Sequence, residues 1–459
     1  MQVALFVLIA ATITFTRTIT SSTMRNWDEA WYAEIIKNMA SGNYGIMQPF
    51  WNGRYYFDHA PLYFWLSTPI FKIFGPGLWQ TRAVSATAAI LACLFIFLIA
   101  KKLAGTIAGL ASVLIFLTLG GVTIRFAHGN LDSLLICFFL ASFYCYLKSE
   151  KQKLYAVAIG TLIGLGFLIK SWGIGLFPLF LIFIYSFVKN RKLPNNLLII
   201  LTTIIIFSAW WYILGFLTFG KQFLDWYIFN PSEDRLTTPF VNFSLDYFRF
   251  AIRDIGLWLV PPIIYIFLKF KDLKKLDKNI ILPFSSLSII YIFSLNFLSD
   301  KSAWYLIPSL AQIAIVVGYF FQKLYLVYPK FGITLFGLIF FAQIININRI
   351  ENIYPDRSYI GVELGKQAEK IIPKGSTVIL NDQDFTSFLF YSNQTAIYTL
   401  ENKQTKTNEW WIISPQSLPN FLASHKNIWI ITPSPQSLPI KISDNQIKYQ
   451  NNGYSFINY

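Results

Sequence analysis

The sequence predicts an all-α polytopic membrane bundle of about 11 transmembrane helices, followed by a small C-terminal α/β domain outside the membrane. Three observations lead there. Of 459 residues, 55% are hydrophobic, 18% aromatic and only 13% charged, whereas a soluble domain carries about 25% charged residues. The apolar residues gather into runs such as 83–100, 131–147, 197–217 and 280–298. At 1.5 Å per residue such runs match a hydrocarbon layer ~30 Å thick, and uninterrupted runs specify helices rather than barrel strands. Beyond residue 348 the long runs stop, and short apolar stretches alternate with amphipathic ones.

In chain order the spans are expected at 3–19, 83–100, 103–121, 131–147, 154–169, 174–188, 197–217, 252–268, 280–298, 303–321 and 331–346. The first lacks a basic segment ahead of it and a small-residue cleavage site, so it reads as a retained span rather than a removed signal peptide. Cations load alternate connections: Lys101–Lys102, Lys148 with Lys151 and Lys153, Lys189 with Arg191 and Lys192, residues 269–278, and Lys323 with Lys330. Loop Lys and Arg resist translocation, which assigns those loops and the N-terminus to the cytoplasm. The loop 20–82 and the tail 348–459 then lie outside. The net charge of +15 belongs largely to these loops, and nucleic acid is not an expected partner. Cys93, Cys137 and Cys145 fall inside spans and read as small buried hydrophobes.

The tail reads as helix at 359–372, strand at 377–380, helix at 385–391, strand at 410–414, helix at 418–424 and strand at 428–432. Residues 448–459 close as a hairpin around Asn452-Gly453. It carries no glycine-rich phosphate loop and no metal-ligand spacing.

Polar residues that could do chemistry concentrate on the outer side. In Asn26-Trp27-Asp28-Glu29, Asn26 is placed to cap a helix, which gives Glu29 a structural role in the first turn. Asp28, beside tryptophans, is where a general base for a lipid-borne substrate would sit. Asp58 and His59 lie among aromatics ahead of Pro61. One Asp and one His do not complete a metal site, for which three or four ligands are usual; Asp58 is the only candidate ligand for a divalent metal, and no other cofactor is implied. Arg125, His128 and Asp132 fall at the mouth of a span, where an acid is costly unless it serves function. Lys170, Arg235 and Lys301 are further cations on the outer side, the last shortly before Trp304-Tyr305. Carboxylates and several cations on one side of an apolar bundle suit a phosphate-bearing lipid.

In order along the chain stand Asp28-Glu29 with Tyr32-Ala33-Glu34, then Asn52-Gly53 with Tyr56-Phe57-Asp58-His59-Ala60-Pro61-Leu62. Asn130-Leu131-Asp132, Gly166-Phe167-Leu168-Ile169-Lys170 and Lys301 with Tyr305-Leu306-Ile307-Pro308 follow. With these the chain resembles the polyprenyl-phosphate-sugar-dependent glycosyltransferases of the GT-C fold, in particular the group of protein O-mannosyltransferases and the lipid A aminoarabinose transferase. The resemblance covers about residues 27–317. It implies a multi-pass enzyme of the bacterial inner membrane that moves a sugar from a polyprenyl-phosphate carrier to a lipid, glycan or protein acceptor on the outer face. Asp28 matches the catalytic base of the family and Asp132 its second acid. Lys170 and Lys301 match basic positions near the donor phosphate, and Glu29, Asp58, His59, Arg235 and Tyr305 are the further substrate-binding candidates. The family often has Arg where Trp31 stands and Lys where His59 stands, which leaves sugar and acceptor open.

A sugar phosphate ester carries its own leaving group, so such an enzyme needs only to exclude water, deprotonate the acceptor and neutralise the departing phosphate. With one base and no covalent nucleophile, direct displacement with inversion is the simpler course. The alternative is a transporter or flippase of lipid-linked saccharides, which would share the apolar cleft and outer cations but commonly carries inverted repeats.

Overall fold

The structure, a computed structural model, describes residues 2–17, 19, 23–148, 152–170, 172–225, 227, 243–298, 301–353, 359–382, 385–401 and 410–459. Its contacts divide the chain into two compact units. One comprises Met1–Ser21, Phe57–Ser67 and Arg82–Pro355; the other comprises Ser22–Tyr56, Thr68–Thr81 and Asp356–Tyr459.

The first unit is helical. In chain order the helices of the protein begin with α1 (Gln2–Thr16), α2 (Asp28–Ser41), α3 (Leu62–Phe74), α4 (Leu78–Ala104), α5 (Thr106–Leu117) and α6 (Gly120–Phe126). They continue with α7 (Asp132–Lys148), α8 (Lys153–Phe167), α9 (Trp172–Gly175), α10 (Phe177–Asn190), α11 (Leu197–Phe219) and α12 (Lys221–Leu224). Then come α13 (Asp246–Ile255), α14 (Val260–Leu268), α15 (Lys278–Leu295), α16 (Ile307–Val327) and α17 (Pro329–Ile353). Each of the eleven expected spans contains helix, but among the described residues seven continuous helical stretches are long and apolar enough to cross a membrane, counting Gly173–Asn190, Asp246–Leu268 and Ala303–Val327 as one each, or eight with the bent pair α5–α6 as one span. Length accounts for the difference: α1 and α8 have 15 residues each and α7 has 17, or about 22–26 Å at the helical rise. The chain bends by 71° between α5 and α6.

Small residues set how closely these helices pack. A Cβ at Gly160 would lie 2.6 Å from the Ile200 carbonyl, and one at Gly164 2.9 Å from that of Ile204. Helices α8 and α11 therefore meet backbone to backbone, the small-xxx-small solution that apolar surroundings favour because area burial alone drives little association in lipid. The outward faces are apolar as well: Leu198, Ile205, Ile206, Ile213 and Leu217 of α11 are all exposed.

The second unit combines α2 and the short hairpin β1 (Phe50–Trp51) and β2 (Arg54–Tyr55) with the tail. The tail contains α18 (Tyr359–Ile371), β3 (Thr377–Leu380), α19 (Phe385–Ser392), β4 (Ile397–Leu400), β5 (Ile412–Ile413), α20 (Leu418–Ser424), β6 (Ile428–Thr432), β7 (Ile447–Asn451) and β8 (Tyr454–Asn458). The sheet order is β5-β4-β3-β6-β8-β7. Strands β3 to β6 are parallel, while β8 is antiparallel to both β6 and β7. Strand β6 is buried at all its positions, the continuous apolar run expected of a central strand covered on both faces. The β7–β8 turn is Asn452-Gly453, with φ of 49° and 81°, the left-handed pair that a two-residue hairpin requires.

Asn26 does not cap α2. Its side-chain oxygen accepts instead from the backbone N–H of Thr386 (2.9 Å) and Ser387 (3.1 Å), so it caps α19. Helix α2 starts from Trp27 without a side-chain cap, and Glu29 turns back to accept from the N–H of Arg25 at 2.8 Å. The Asn52 side chain bonds both the N–H and the carbonyl of Ile397 at 2.8 and 3.1 Å, extending the order of the loop into β4. Trp51 is fully buried, stacked on Trp31 at 4.5 Å and edge-on to Trp411 at 5.0 Å. Loop and tail thus share one aromatic core.

Candidate active site

The first unit holds a charge cluster around a buried acid at the start of α7. Asn130, completely buried, accepts from the N–H of Ser133 at 2.8 Å and so caps that helix. Its amide also donates to the carbonyls of Arg125 (3.1 Å) and His128 (2.8 Å). Ser85, in contact with the Tyr63 hydroxyl at 2.9 Å, grips the Asn130 backbone through both N–H and C=O. The turn between α6 and α7 is therefore fixed by the side chains of Asn130 itself and of Ser85 on α4, and Asp132 leaves it in a defined direction.

Asp132 is 5% exposed and takes two cations. Its Oδ2 receives a fork from Arg125, Nε and Nη2 each at 3.1 Å, and its Oδ1 receives Lys170 Nζ at 2.7 Å. Burying charges is costly unless they are paired. One carboxylate here takes both cations, one on each oxygen. Aromatic faces hold both cations in place. The Arg125 guanidinium lies 4.6 Å from the Trp304 ring centroid and Lys170 Nζ 5.2 Å from that of Tyr305, the geometry of cation–π attraction. The Tyr227 hydroxyl donates to the Lys170 carbonyl at 2.7 Å, and that of Tyr291 to the Tyr305 carbonyl at 3.1 Å.

Lys301 is held by a different acid. Its ammonium reaches the Ser244 hydroxyl and lies 3.7 Å from Asp246 Oδ2; Ser244 in turn donates to Asp246 at 2.6 Å. The next residue, Ser302, donates its N–H to the Tyr247 hydroxyl at 3.1 Å, just before the 3₁₀ turn Ala303–Leu306 that carries Trp304 and Tyr305. Arg235 lies outside the described residues. Asp58 is exposed and His59 half-buried in the bend before α3, and among the described residues no three His, Cys, Asp or Glu gather as a metal site.

Asp28 and Glu29 belong to the second unit. Asp28 is half-buried at the first position of α2, where a carboxylate complements the helix dipole. Two turns on, buried Glu34 pairs with Lys37 at 2.5 Å. Burial pushes the Glu34 carboxyl above its usual range, and the Lys37 charge draws it partly back.

The structure thus joins Asp132, Lys170 and Tyr305, and adds Arg125, Trp304, Tyr227 and Tyr291. Arg125 stands out in the sequence as a cation at a span mouth, without an assignable role. The tyrosines gave no signal, since aromatics inside apolar runs look like core.

Residues 58–213 match the family model described as dolichyl-phosphate-mannose-protein mannosyltransferase. A protein of Aquifex aeolicus is 23% identical over 305 residues, 64% of this chain and 59% of its own length. The undecaprenyl phosphate-alpha-4-amino-4-deoxy-L-arabinose arabinosyl transferase of Pseudomonas savastanoi pv. phaseolicola is 30% identical over 152 residues, 32% of this chain and 28% of its own. The matched stretch therefore spans less than two thirds of either relative. Among solved structures, ArnT from Cupriavidus metallidurans bound to undecaprenyl phosphate superposes with a TM-score of 0.74 at 14% identity, covering 99% of this chain and 97% of that one. The oligosaccharyltransferase AglB from Archaeoglobus fulgidus, in complex with an inhibitory peptide and a dolichol-phosphate, gives 0.62 at 13% identity over 94% and 69%. The chain is a multi-pass membrane protein with the GT-C fold of the polyprenyl-phosphate-sugar glycosyltransferases. Its matched stretches resemble the protein-mannosyltransferase and aminoarabinose-transferase group.

Proposed function

We propose that the protein transfers a sugar from a polyprenyl-phosphate carrier to an acceptor hydroxyl or phosphate on the outer face of the membrane, by direct displacement with inversion. The observation that carries this reading is the Arg125–Asp132–Lys170 cluster, in which a buried acid fixes two half-buried cations beside the rings of Trp304 and Tyr305. Two cations held in place a few ångströms apart suit an anion, and the donor offers a phosphate diester. Asp132 anchors the two cations, and Asp28 serves as the base, on the resemblance of its motif. In the reaction the acceptor O–H gives its proton to Asp28, the oxygen forms a bond to the anomeric carbon, and the bond from that carbon to the phosphate oxygen breaks. The carrier leaves as the monoester with one more negative charge, which Lys170 and Arg125 meet.

Asp28→Asn, nearly isosteric, tests the base. Transfer in detergent or membranes should fall by about 10²–10⁴-fold while polyprenyl phosphate still binds. Turnover near that of the wild type would remove Asp28 from the chemistry; a loss of expression alone would assign it to the helix start.

A further inference from the structure

The tail sheet has a crossing point of its own. From β3 the chain moves to β4 and then β5 on one side, and returns with β6 to the other side of β3. The carboxyl ends of β3 and β6 flank the place where strand order reverses, which is where open α/β sheets bind ligands. Polar side chains converge there: Asn381 donates to Thr432 Oγ1 at 3.1 Å, and the Tyr454 hydroxyl donates to the carboxylate of Asp382. Next to them opens a cavity of about 730 Å³, walled by Pro433, Gln436, Asp444, Gln450, Asn451 and Tyr454. Its volume falls within the range of roughly 300–1,000 Å³ typical of small-molecule sites.

The lining selects a chemistry. It contains one acid, Asp444, and no Lys, Arg or His, so nothing there would hold a phosphate or a uronate. The amides of Gln436, Gln450 and Asn451 can each donate and accept, which suits vicinal hydroxyls. Ile440, Ile442 and Ile447 reach the cavity from the sheet core and, with the Tyr454 ring, offer an apolar face for the C–H side of a pyranose. The cluster at Asp132 has a different character, with two cations set about one acid.

We propose that this cavity binds an uncharged saccharide, as a second site that recognises glycan rather than the lipid phosphate. The proposal goes beyond the transferase reading and does not depend on it. The test is saturation-transfer-difference NMR on the protein in detergent without any donor lipid, with maltose, N,N′-diacetylchitobiose and glucuronate as probes. At least one uncharged disaccharide should bind and glucuronate should not. Gln450→Trp fills the mouth from an exposed strand position that tolerates an aromatic, and should weaken binding by tenfold or more. Asp444→Asn, which removes a charge-assisted contact to a hydroxyl, should weaken it about tenfold. The proposal is overturned if neither disaccharide binds, if glucuronate binds equally well, or if both variants bind like the wild type with unchanged thermal unfolding. Because no donor is present, failure of the transferase reading in the Asp28→Asn assay and failure here are separate results.

Discussion

Lys170 illustrates how a residue's surroundings assign its work. A lysine at a helix end could snorkel to water, but here its ammonium is fixed between a buried carboxylate at 2.7 Å and an aromatic face. A group held in that way costs little to reorganise when charge develops beside it. Lys170→Gln should therefore lower kcat and weaken donor affinity, each on the scale of a lost charge-assisted contact, about 1.5–3 kcal/mol or ten- to a hundredfold. Acceptor KM should stay constant. Steady-state kinetics with each substrate varied separately decides the matter: a rise confined to acceptor KM would move Lys170 to the acceptor path. The acid and Lys170 were legible in the sequence because charges at span mouths are rare. Their pairing was not, since residues 38 positions apart carry no mark of contact. The same limit hid the separation of the two lysines: Lys301 matched Lys170 in type and position, yet answers to Asp246.

At the scale of elements, local pattern gave the tail almost whole. Strand β3 and helix α20 have the bounds their apolar spacing predicts, and the Asn-Gly hairpin closes as expected. Strand β4, Ile-Tyr-Thr-Leu, went unseen because Asn393-Gln394-Thr395 ahead of it reads as loop and four residues give little periodicity. The cap of α2 failed for a different reason. Asn26 has the right spacing for its own helix, but α19 offers its first-turn N–H groups to the same oxygen. Asn26→Ala should consequently destabilise the α19 region by about 0.5–2 kcal/mol, the cost of a lost N-cap. Hydrogen exchange gives the readout, with faster exchange in the first turn of α19 and little change at the first turn of α2. The reverse pattern would return the cap to α2.

For the whole molecule, composition and hydropathy fixed the membrane class, while the number of full-length crossings depended on details that hydropathy blurs: helices of 15 residues and a 71° bend. Loop charge makes a sharper statement about sidedness. A reporter fused after Lys192 should be cytoplasmic and one fused after Asn348 external. A cytoplasmic tail would overturn the orientation and with it the outer-face chemistry.

The joint core of loop and tail has a bearing on how the chain is made. Asn26 finds its partners 360 and 361 positions later, and Asn52 finds Ile397 345 positions later. At about 5–20 residues per second of synthesis, the ribosome takes roughly 20–70 s to deliver the second half of that contact. During this interval Trp31 and Trp51 stand without Trp411 and Phe385. Nascent chains stalled near residue 350 should accordingly expose this aromatic surface to holding chaperones, and a stop codon in the tail would leave the early loop as exposed as the missing end.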